Sequence, residues 1–496
     1  MINKNQYNEL CEMCSKVLSF NDTNLTRMAI PWIHVIRICP AANNRYRSIF
    51  YLENFFKRKL IFFKNKFKQK VLNIFFLIKA LNHKNKYWEG LDLKDSDIDF
   101  LFISHALNKD QLKKDYDFYF GDIPEKLKQK GYKVLLIHIC HFTSNSFSSK
   151  VNLKNPFFIQ LLSFKEELSI LKMMNNESKI LNKLYKKEDN IILKRILKKA
   201  SFEVKSIGTR NNLRLSIQIK NILKIIRPKS IITTYEGHAN EKIIFSSAKE
   251  AFPKIKCIAY QHTGSFESSN SIYRLYNSKF NPDFILTSGE NDLINFKNKL
   301  NSNYNNKIKL LGSPRGNLNT DKFDSSLNKS FSCLVIPEAF LSEIVKLFSF
   351  SLECANKHPN IKFIWRLHPS ISFSQVFKKA PYLKNIPHNI TLSIRKIEDD
   401  IKISKWCLYR GSTAIFKSIS AGLRPLFLVN YNNEIIIDPL NKMKKKNISR
   451  IDDLASVINF DVMDKYIKLS KKRSYYINFC NSRFSRININ VFDEII

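Results

Sequence analysis

Residues 231–264 read IITTYEGHANEKIIFSSAKEAFPKIKCIAYQHTG, and their pattern decides the class of fold. A β-prone run at 231–234 is broken at once by Tyr235-Glu236-Gly237-His238. From 240 to 252 the apolar Ile243, Ile244, Ala248, Ala251 and Phe252 recur at helical spacing, and Pro253 stops the helix. A second strand at 255–260 closes on Gln261-His262-Thr263-Gly264. Strand, crossover helix and strand make the unit of a parallel sheet. Its polar residues fall at the carboxyl ends of both strands, the edge where ligands bind in open α/β sheets.

The same alternation runs outward in both directions. Strands are predicted at 99–104, 132–138, 283–287 and 307–311, with a turn at Tyr119-Phe120-Gly121 and helices at 123–129, 157–174, 180–199 and 213–226. Residues 317–329 are polar and aperiodic and read as a linker. Beyond them strands are predicted at 332–336, 362–367, 390–394, 406–409 and 425–429, with helices at 341–356, 398–404 and 413–421 and a helical stretch at 451–484. The spacing therefore predicts a basic amino-terminal region (1–95), two α/β domains (96–318 and 330–450) and a helical carboxyl-terminal segment (451–496). A length of 496 residues fits two cores better than one.

Lys and Arg number 82 against 43 Asp and Glu, a net charge of +39. AT-rich coding accounts for part of this, since Asn, Ile and Phe are abundant as well. The rest points to an anionic partner, with an acidic membrane surface and a phosphorylated ligand favoured over nucleic acid, for which no motif is present. Residues 55–79 hold eight cations and no carboxylate, and Phe56, Leu60, Phe63, Phe67, Val71, Ile74 and Ile78 recur at steps of three or four. That is the pattern of a basic amphipathic helix, suited to an acidic bilayer or to packing on the protein itself. No apolar run is long enough to span a membrane, and the amino terminus lacks a signal-peptide pattern, so a cytoplasmic protein is expected. The lone CxxC at Cys11 and Cys14 has no second pair, and its thiols are read as structural. Asp95, Asp97 and Asp99 precede a strand rather than follow one, so no metal site is expected there. Glycine is rare, eleven in all, and those retained between 237 and 422 are expected where the backbone needs positive φ or close approach.

Two stretches of the second domain suit a phosphate. Trp365-Arg366-Leu367-His368-Pro369 ends a strand, with Arg366 and His368 alternating toward one face. A guanidinium fork beside a directed imidazole N–H is suited to phosphate oxygens. Tyr409-Arg410-Gly411-Ser412-Thr413 follows another strand and opens a helix, offering a glycine, two hydroxyls and free N–H groups. Neither GxxxxGK[ST] nor GxGxxG occurs, which argues against a Walker-type nucleotidase and a typical NAD site.

Glu236-Gly237, then His368-Pro369, then Ser412-Thr413, in that order, resembles GT-B glycosyltransferases. The pattern is most similar to bacterial sialyltransferase-like and Kdo-transferase-like enzymes that use CMP-sugars. The runs YEGH…YQHTG, RLHP and RGST also look like bacterial surface-carbohydrate biosynthesis proteins, over roughly residues 99–429. Tyr235 stands where the sialyltransferase motif usually carries an acid, and CDP-glycerol-type polymerases share a Lys/Arg-x-His-Pro element. The resemblance implies two Rossmann-like domains facing across a cleft, the first for acceptor and the second for donor. It implies Glu236 as general base with His262 as its rival, and Tyr235, Gly237, His238, Gln261 and Thr263 on the acceptor side, His238 orienting Glu236. His368 would hydrogen-bond the leaving phosphate, with Arg366 and Arg410 offsetting charge, Gly411, Ser412 and Thr413 cradling it, and Glu338 holding the ribose. The implied enzyme is metal-independent and cofactor-free. It moves a sugar from a nucleotide-sugar, a CMP-sugar favoured, to a lipid-linked or polysaccharide acceptor at the inner face of the membrane, building lipopolysaccharide O-antigen or capsule. A CDP-linked polyol-phosphate transferase, a nucleotide-sugar epimerase and a non-catalytic basic binding module stay as alternatives.

Overall fold

A computed structural model describes residues 2–35, 45–51, 67, 69, 71–81, 86–90, 97–142, 155–264, 270–316, 331–429, 437–441, 443–454, 456 and 469–496. The expected linker 317–329, Asp95 and the 55–66 part of the basic helix lie outside the described residues.

Two parallel sheets make two Rossmann-like domains. The first contains β1 (Trp88–Glu89), β2 (Phe100–Ala106), β3 (Val134–Cys140), β4 (Phe157–Phe158), β5 (Ser230–Thr234), β6 (Lys256–Gln261), β7 (Phe284–Thr287) and β8 (Ile308–Leu310), in the order β1-β4-β3-β2-β5-β6-β7-β8. Every neighbouring pair is parallel except β1 with β4. The second contains β9 (Ser332–Pro337), β10 (Lys362–Arg366), β11 (Ile390–Ser393), β12 (Trp406–Arg410), β13 (Arg424–Leu428) and β14 (Lys446–Ile448), in the order β11-β10-β9-β12-β13-β14, all parallel.

Both faces of each sheet are covered, which is why the strands read as near-continuous apolar runs. In β2, Leu101 and Ile103 pack toward the helices Ile207–Ile226 and Ala239–Ala251, while Phe100 and Phe102 pack toward Phe120, Leu127 and the carboxyl-terminal Val491, Phe492 and Ile495. In the second sheet Val335, Trp365 and Leu408 meet the helix Leu341–Lys357, and Ile336, Cys407 and Tyr409 meet the short helix Ile415–Ser420.

The helix expected at 157–174 begins later. Phe157 and Phe158 form an edge strand, and a capping box of Ser163 and Glu166 starts the helix Phe164–Lys187. Asn190 then caps a separate helix, Ile191–Glu203. These two helices enclose the amino-terminal helix Lys4–Leu18, whose Cys11 and Cys14 are buried in the shared core. The ion pair of Arg27 with Glu177, at 2.6 Å, is buried there too. The helix Leu469–Arg483 packs on the second domain through Tyr476 and Cys480, and the chain then returns to the first. Ser485 N–H donates to Ser288 O and Ser313 N–H to Ser485 O, both at 2.9 Å. Gly289, Gly312 and Gly316 lie so close to the backbone of residues 482–486 that a Cβ at any of them would collide with it. Gly264 departs from the expectation for glycines, since an added Cβ there would meet nothing.

Candidate functional site

In the first sheet the strand order reverses at β2, which lies between β3 and β5, so the carboxyl ends of β3, β2, β5 and β6 are neighbours. That reversal is the expected ligand crevice. Tyr235 continues the β5 ladder, its N–H bonding Tyr260 O at 2.8 Å, and Glu236 is the first residue to leave it. The turn is held from below. Glu241, in the first turn of the helix Ala239–Ala251, accepts the N–H groups of Glu236 and Gly237 at 2.8 Å and of His238 at 2.9 Å. Gly237 has φ of +87°, and a Cβ there would collide with the backbone of Ser271.

The Glu236 carboxylate is partly exposed and oriented from two sides. Thr263 Oγ1 donates to Oε1 at 2.8 Å, and His238 Nε2 lies 3.2 Å from Oε2. His262 Nε2 stands 3.9 Å from Oε1, beyond hydrogen-bond reach. Its ring meets Tyr119 edge-on, 4.9 Å between centroids. Beside them His105, near the end of β2, and His141, just past β3, share a hydrogen between Nδ1 and Nε2 at 2.9 Å. Burial depresses His105 to about 3 and His262 to about 4, and lowers His141 as well. The three rings are therefore neutral near pH 7, able to hydrogen-bond a sugar hydroxyl without adding charge. Burial also raises Glu241 and lowers its neighbour Lys242, whose Nζ donates to Tyr235 Oη at 2.9 Å.

In the second sheet the reversal falls at β9, between β10 and β12. His368 is exposed beyond β10. Its Nδ1 accepts Ser370 N–H at 3.3 Å with Ser370 Oγ at 2.8 Å, and partial desolvation of the ring lowers its pKa. A ring that accepts at Nδ1 and is neutral carries its proton on Nε2, free to donate outward. Gly411, at φ of +76°, admits the Glu338 carboxylate into the space a Cβ would fill, and Ser412 and Thr413 are partly exposed beside it.

Four sequence assignments are corrected. Tyr235 and Gln261 are fully buried and line no open site. Tyr235 keeps the two-residue period of β5 and points into the core with Ile231, while Gln261 accepts Ser288 N–H at 3.1 Å and donates to Asp292 at 3.2 Å. Arg410 is buried in an ion pair with Glu343 at 2.6 Å, so its charge is already offset. β10 ends at Arg366, so strand alternation does not carry on to His368. The Arg366 guanidinium instead donates to buried Asp400 at 2.9 Å and to Arg395 O at 2.6 Å. The helix after Thr413 also starts later than expected, at Ile415. Asp99 is bound at the amino edge of the sheet, accepting Lys133 N–H and pairing with Lys229, both at 2.8 Å.

Sequence reasoning missed His105, His141, Tyr119 and Glu241. His105 and His141 follow the rule that singled out Glu236 and His262, a polar residue at the carboxyl end of a strand, applied to β2 and β3. Glu241 lies three residues after His238, the spacing of a capping box whose first place is more often Ser or Thr.

No family model matches the chain, and no curated protein matches it. Among solved structures it is similar to the glycotransferase of kitacinnamycin, at 9% identity and a TM-score of 0.45, covering 81% of this chain and 98% of that one. It is similar to the UDP-GlcNAc 2-epimerase of Methanocaldococcus jannaschii, at 12% identity and 0.43, covering 75% and 94%. A third is the α,α-trehalose 6-phosphate synthase of Burkholderia multivorans, at 8% identity and 0.45, covering 80% and 95%.

Proposed function

We propose that the chain is a GT-B glycosyltransferase that moves a sugar from a nucleotide-sugar to an acceptor hydroxyl, with Glu236 as general base. The observation that carries this reading is the Glu236 carboxylate, lifted out of β5 at the strand-order reversal and aimed by Thr263 and His238. The acceptor hydroxyl gives its proton to Glu236 as its oxygen bonds the anomeric carbon. The bond from that carbon to the nucleotide phosphate breaks, and the phosphate leaves with the electron pair. The outward N–H of His368 stabilises the charge that develops there, with the hydroxyls of Ser412 and Thr413 beside it. Written so, the reaction calls for no metal ion. His262, largely buried and 3.9 Å from Glu236, serves as a hydrogen-bond partner of the acceptor rather than as the base.

The sequence resemblance supports a CMP-sugar as donor and a surface polysaccharide, O-antigen or capsule, as product. Action at the inner membrane surface draws support from the helix at 71–81. Phe67, Val71, Ile74, Phe75, Ile78 and Leu81 are all exposed, between 47% and 71%, while Asn73 and Phe76 face Arg210. No helix among the described residues is long and apolar enough to cross a membrane.

The test is thermal stability against CMP, CDP, UDP and GDP, followed by turnover of Glu236→Gln with the donor so identified. A ligand at 100 times its Kd adds about 2.7 kcal/mol. Glu236→Gln should bind donor normally and lose about 10²- to 10⁴-fold in turnover. Stability unmoved by all four nucleotides would overturn the transferase reading, and normal turnover of the variant would remove Glu236 as base.

A further inference from the structure

The helix at 71–81 meets the amino end of the helix Ile207–Ile226 across a narrow cleft. Asn73 and Phe76 line it from one side, Lys205, Ser206 and Ile207 from the other, and Arg210, only 1% exposed, closes it below. Long side chains on a helix point back toward its amino end, which brings the Arg210 side chain to residues 205–207. Beyond its lining the cleft has space for about one oxygen atom.

The positive charge at this place exceeds the negative. Arg210 Nη2 donates to Asn73 Oδ1 at 2.7 Å, and the guanidinium lies 5.2 Å from the centre of the Phe76 ring. Nη1 is buried and has no hydrogen-bond partner among the described residues. The Glu167 carboxylate stands 4.0 Å from Nε and is committed to Arg214, which donates to its two oxygens at 2.5 and 3.0 Å. Two buried guanidiniums thus share one carboxylate, whereas buried Arg27 and Arg410 each hold a carboxylate at 2.6 Å. The amino end of a 20-residue helix adds its own partial positive charge. A water satisfies Nη1 and leaves the excess charge, while an oxyanion answers both.

The other side of the 71–81 helix is apolar. Val71, Ile74, Phe75, Ile78 and Leu81 are exposed, as is Ile207 at the mouth of the cleft. A cationic cleft bordered by exposed apolar side chains suits a ligand with an anionic head and an apolar tail.

We propose that this cleft binds the phosphate of an anionic phospholipid. One phosphate oxygen bonds Arg210, the others stay at the mouth beside Lys205 and the first-turn N–H groups, and the acyl chains lie along the apolar face of the 71–81 helix. This rests on the reading of that face as the membrane contact.

The experiment measures co-sedimentation of the full-length protein with phosphatidylcholine vesicles carrying phosphatidate, phosphatidylglycerol or oleate at matched surface charge. Salt near 0.15 M suppresses non-specific attraction to the basic surface. The better of the two phospholipids is expected to bind at least about tenfold tighter than oleate, a margin in keeping with a charge-assisted hydrogen bond. Arg210→Gln should abolish that preference and keep the binding due to charge and apolar contact. Asn73→Asp supplies Arg210 with a carboxylate from within the protein at nearly unchanged shape, so it should raise Tm and abolish the preference as well. A merely structural Arg210 would give the rise in Tm with the preference intact. Equal binding of phospholipid and oleate vesicles by the unaltered protein overturns the proposal, as does a preference that survives in folded Asn73→Asp. Glycerol 3-phosphate that binds without vesicles as tightly as the phospholipid would make this a site for a soluble phosphate and overturn the lipid. Vesicle binding without preference removes the Arg210 site and leaves the apolar face. A preference that outlasts Ile74→Glu with Ile78→Glu removes the face and leaves the phosphate site.

Discussion

Replacing Glu241 by Gln should loosen the turn that carries Glu236 without touching any ligand. The carboxylate serves three backbone donors, Glu236 N–H on Oε1 and Gly237 and His238 N–H on Oε2. A glutamine oxygen turned to the pair keeps two of these bonds. Its amide nitrogen then faces Glu236 N–H, donor against donor. A buried donor left unpaired costs about 1–3 kcal/mol. For a cooperative unit the size of the first domain, about 2 kcal/mol corresponds to a fall in Tm of roughly 3–5 °C. The freed N–H belongs to Glu236, the proposed base, and a displacement of about 1 Å costs on the order of 100-fold in rate. Calorimetric melting and turnover should therefore fall together, while nucleotide affinity, which the proposed function assigns to the second domain, should stay unchanged. A Glu241→Gln protein with unaltered Tm and turnover would refute the claim that this carboxylate holds the turn. Weakened nucleotide binding would refute its confinement to the first domain.

His368→Ala should weaken nucleotide binding about tenfold or more, the value of a hydrogen bond to a charged group, with no change in Tm. An unchanged Kd would move the phosphate elsewhere. His105 and His262 have folded pKa values of about 3 and about 4, below the ordinary imidazole value. As pH falls below about 6.5 the unfolded chain takes up protons that the folded chain refuses. Stability is then lost toward pH 4, by up to about 1.4 kcal/mol per pH unit for each ring. His262→Gln should flatten that slope between pH 6.5 and 4, and an identical slope in the variant would contradict the assignment. Ile74→Glu with Ile78→Glu should abolish co-sedimentation with acidic vesicles while leaving turnover on a soluble acceptor intact, and retained binding would exclude this helix face as the contact.

Strand–helix alternation determined the two parallel-sheet domains from sequence alone, because strands covered on both faces must be apolar throughout and helices must be apolar along one stripe. The βαβ unit at 231–264 likewise placed Glu236 and His262 at one sheet edge, and the helical ends shifted by only a residue or so. Tertiary structure decided which polar side chains face the crevice. Tyr235 and Gln261 sit among site residues in sequence but point into the core, since side chains alternate along a strand whether or not a ligand is near. Arg366 and Arg410 had the right chemistry for phosphate, yet each is claimed by a carboxylate, Asp400 from another element and Glu343 from the helix Leu341–Lys357. Such partners are distant in sequence, and no local pattern reveals them. The same holds for what was missed. His105 and His141 join Glu236 only because strand order in the sheet differs from order in the chain, setting β2 between β3 and β5. Period and spacing are local and write the elements into the sequence, whereas ion pairing and strand order are long-range and exist only once the chain has folded.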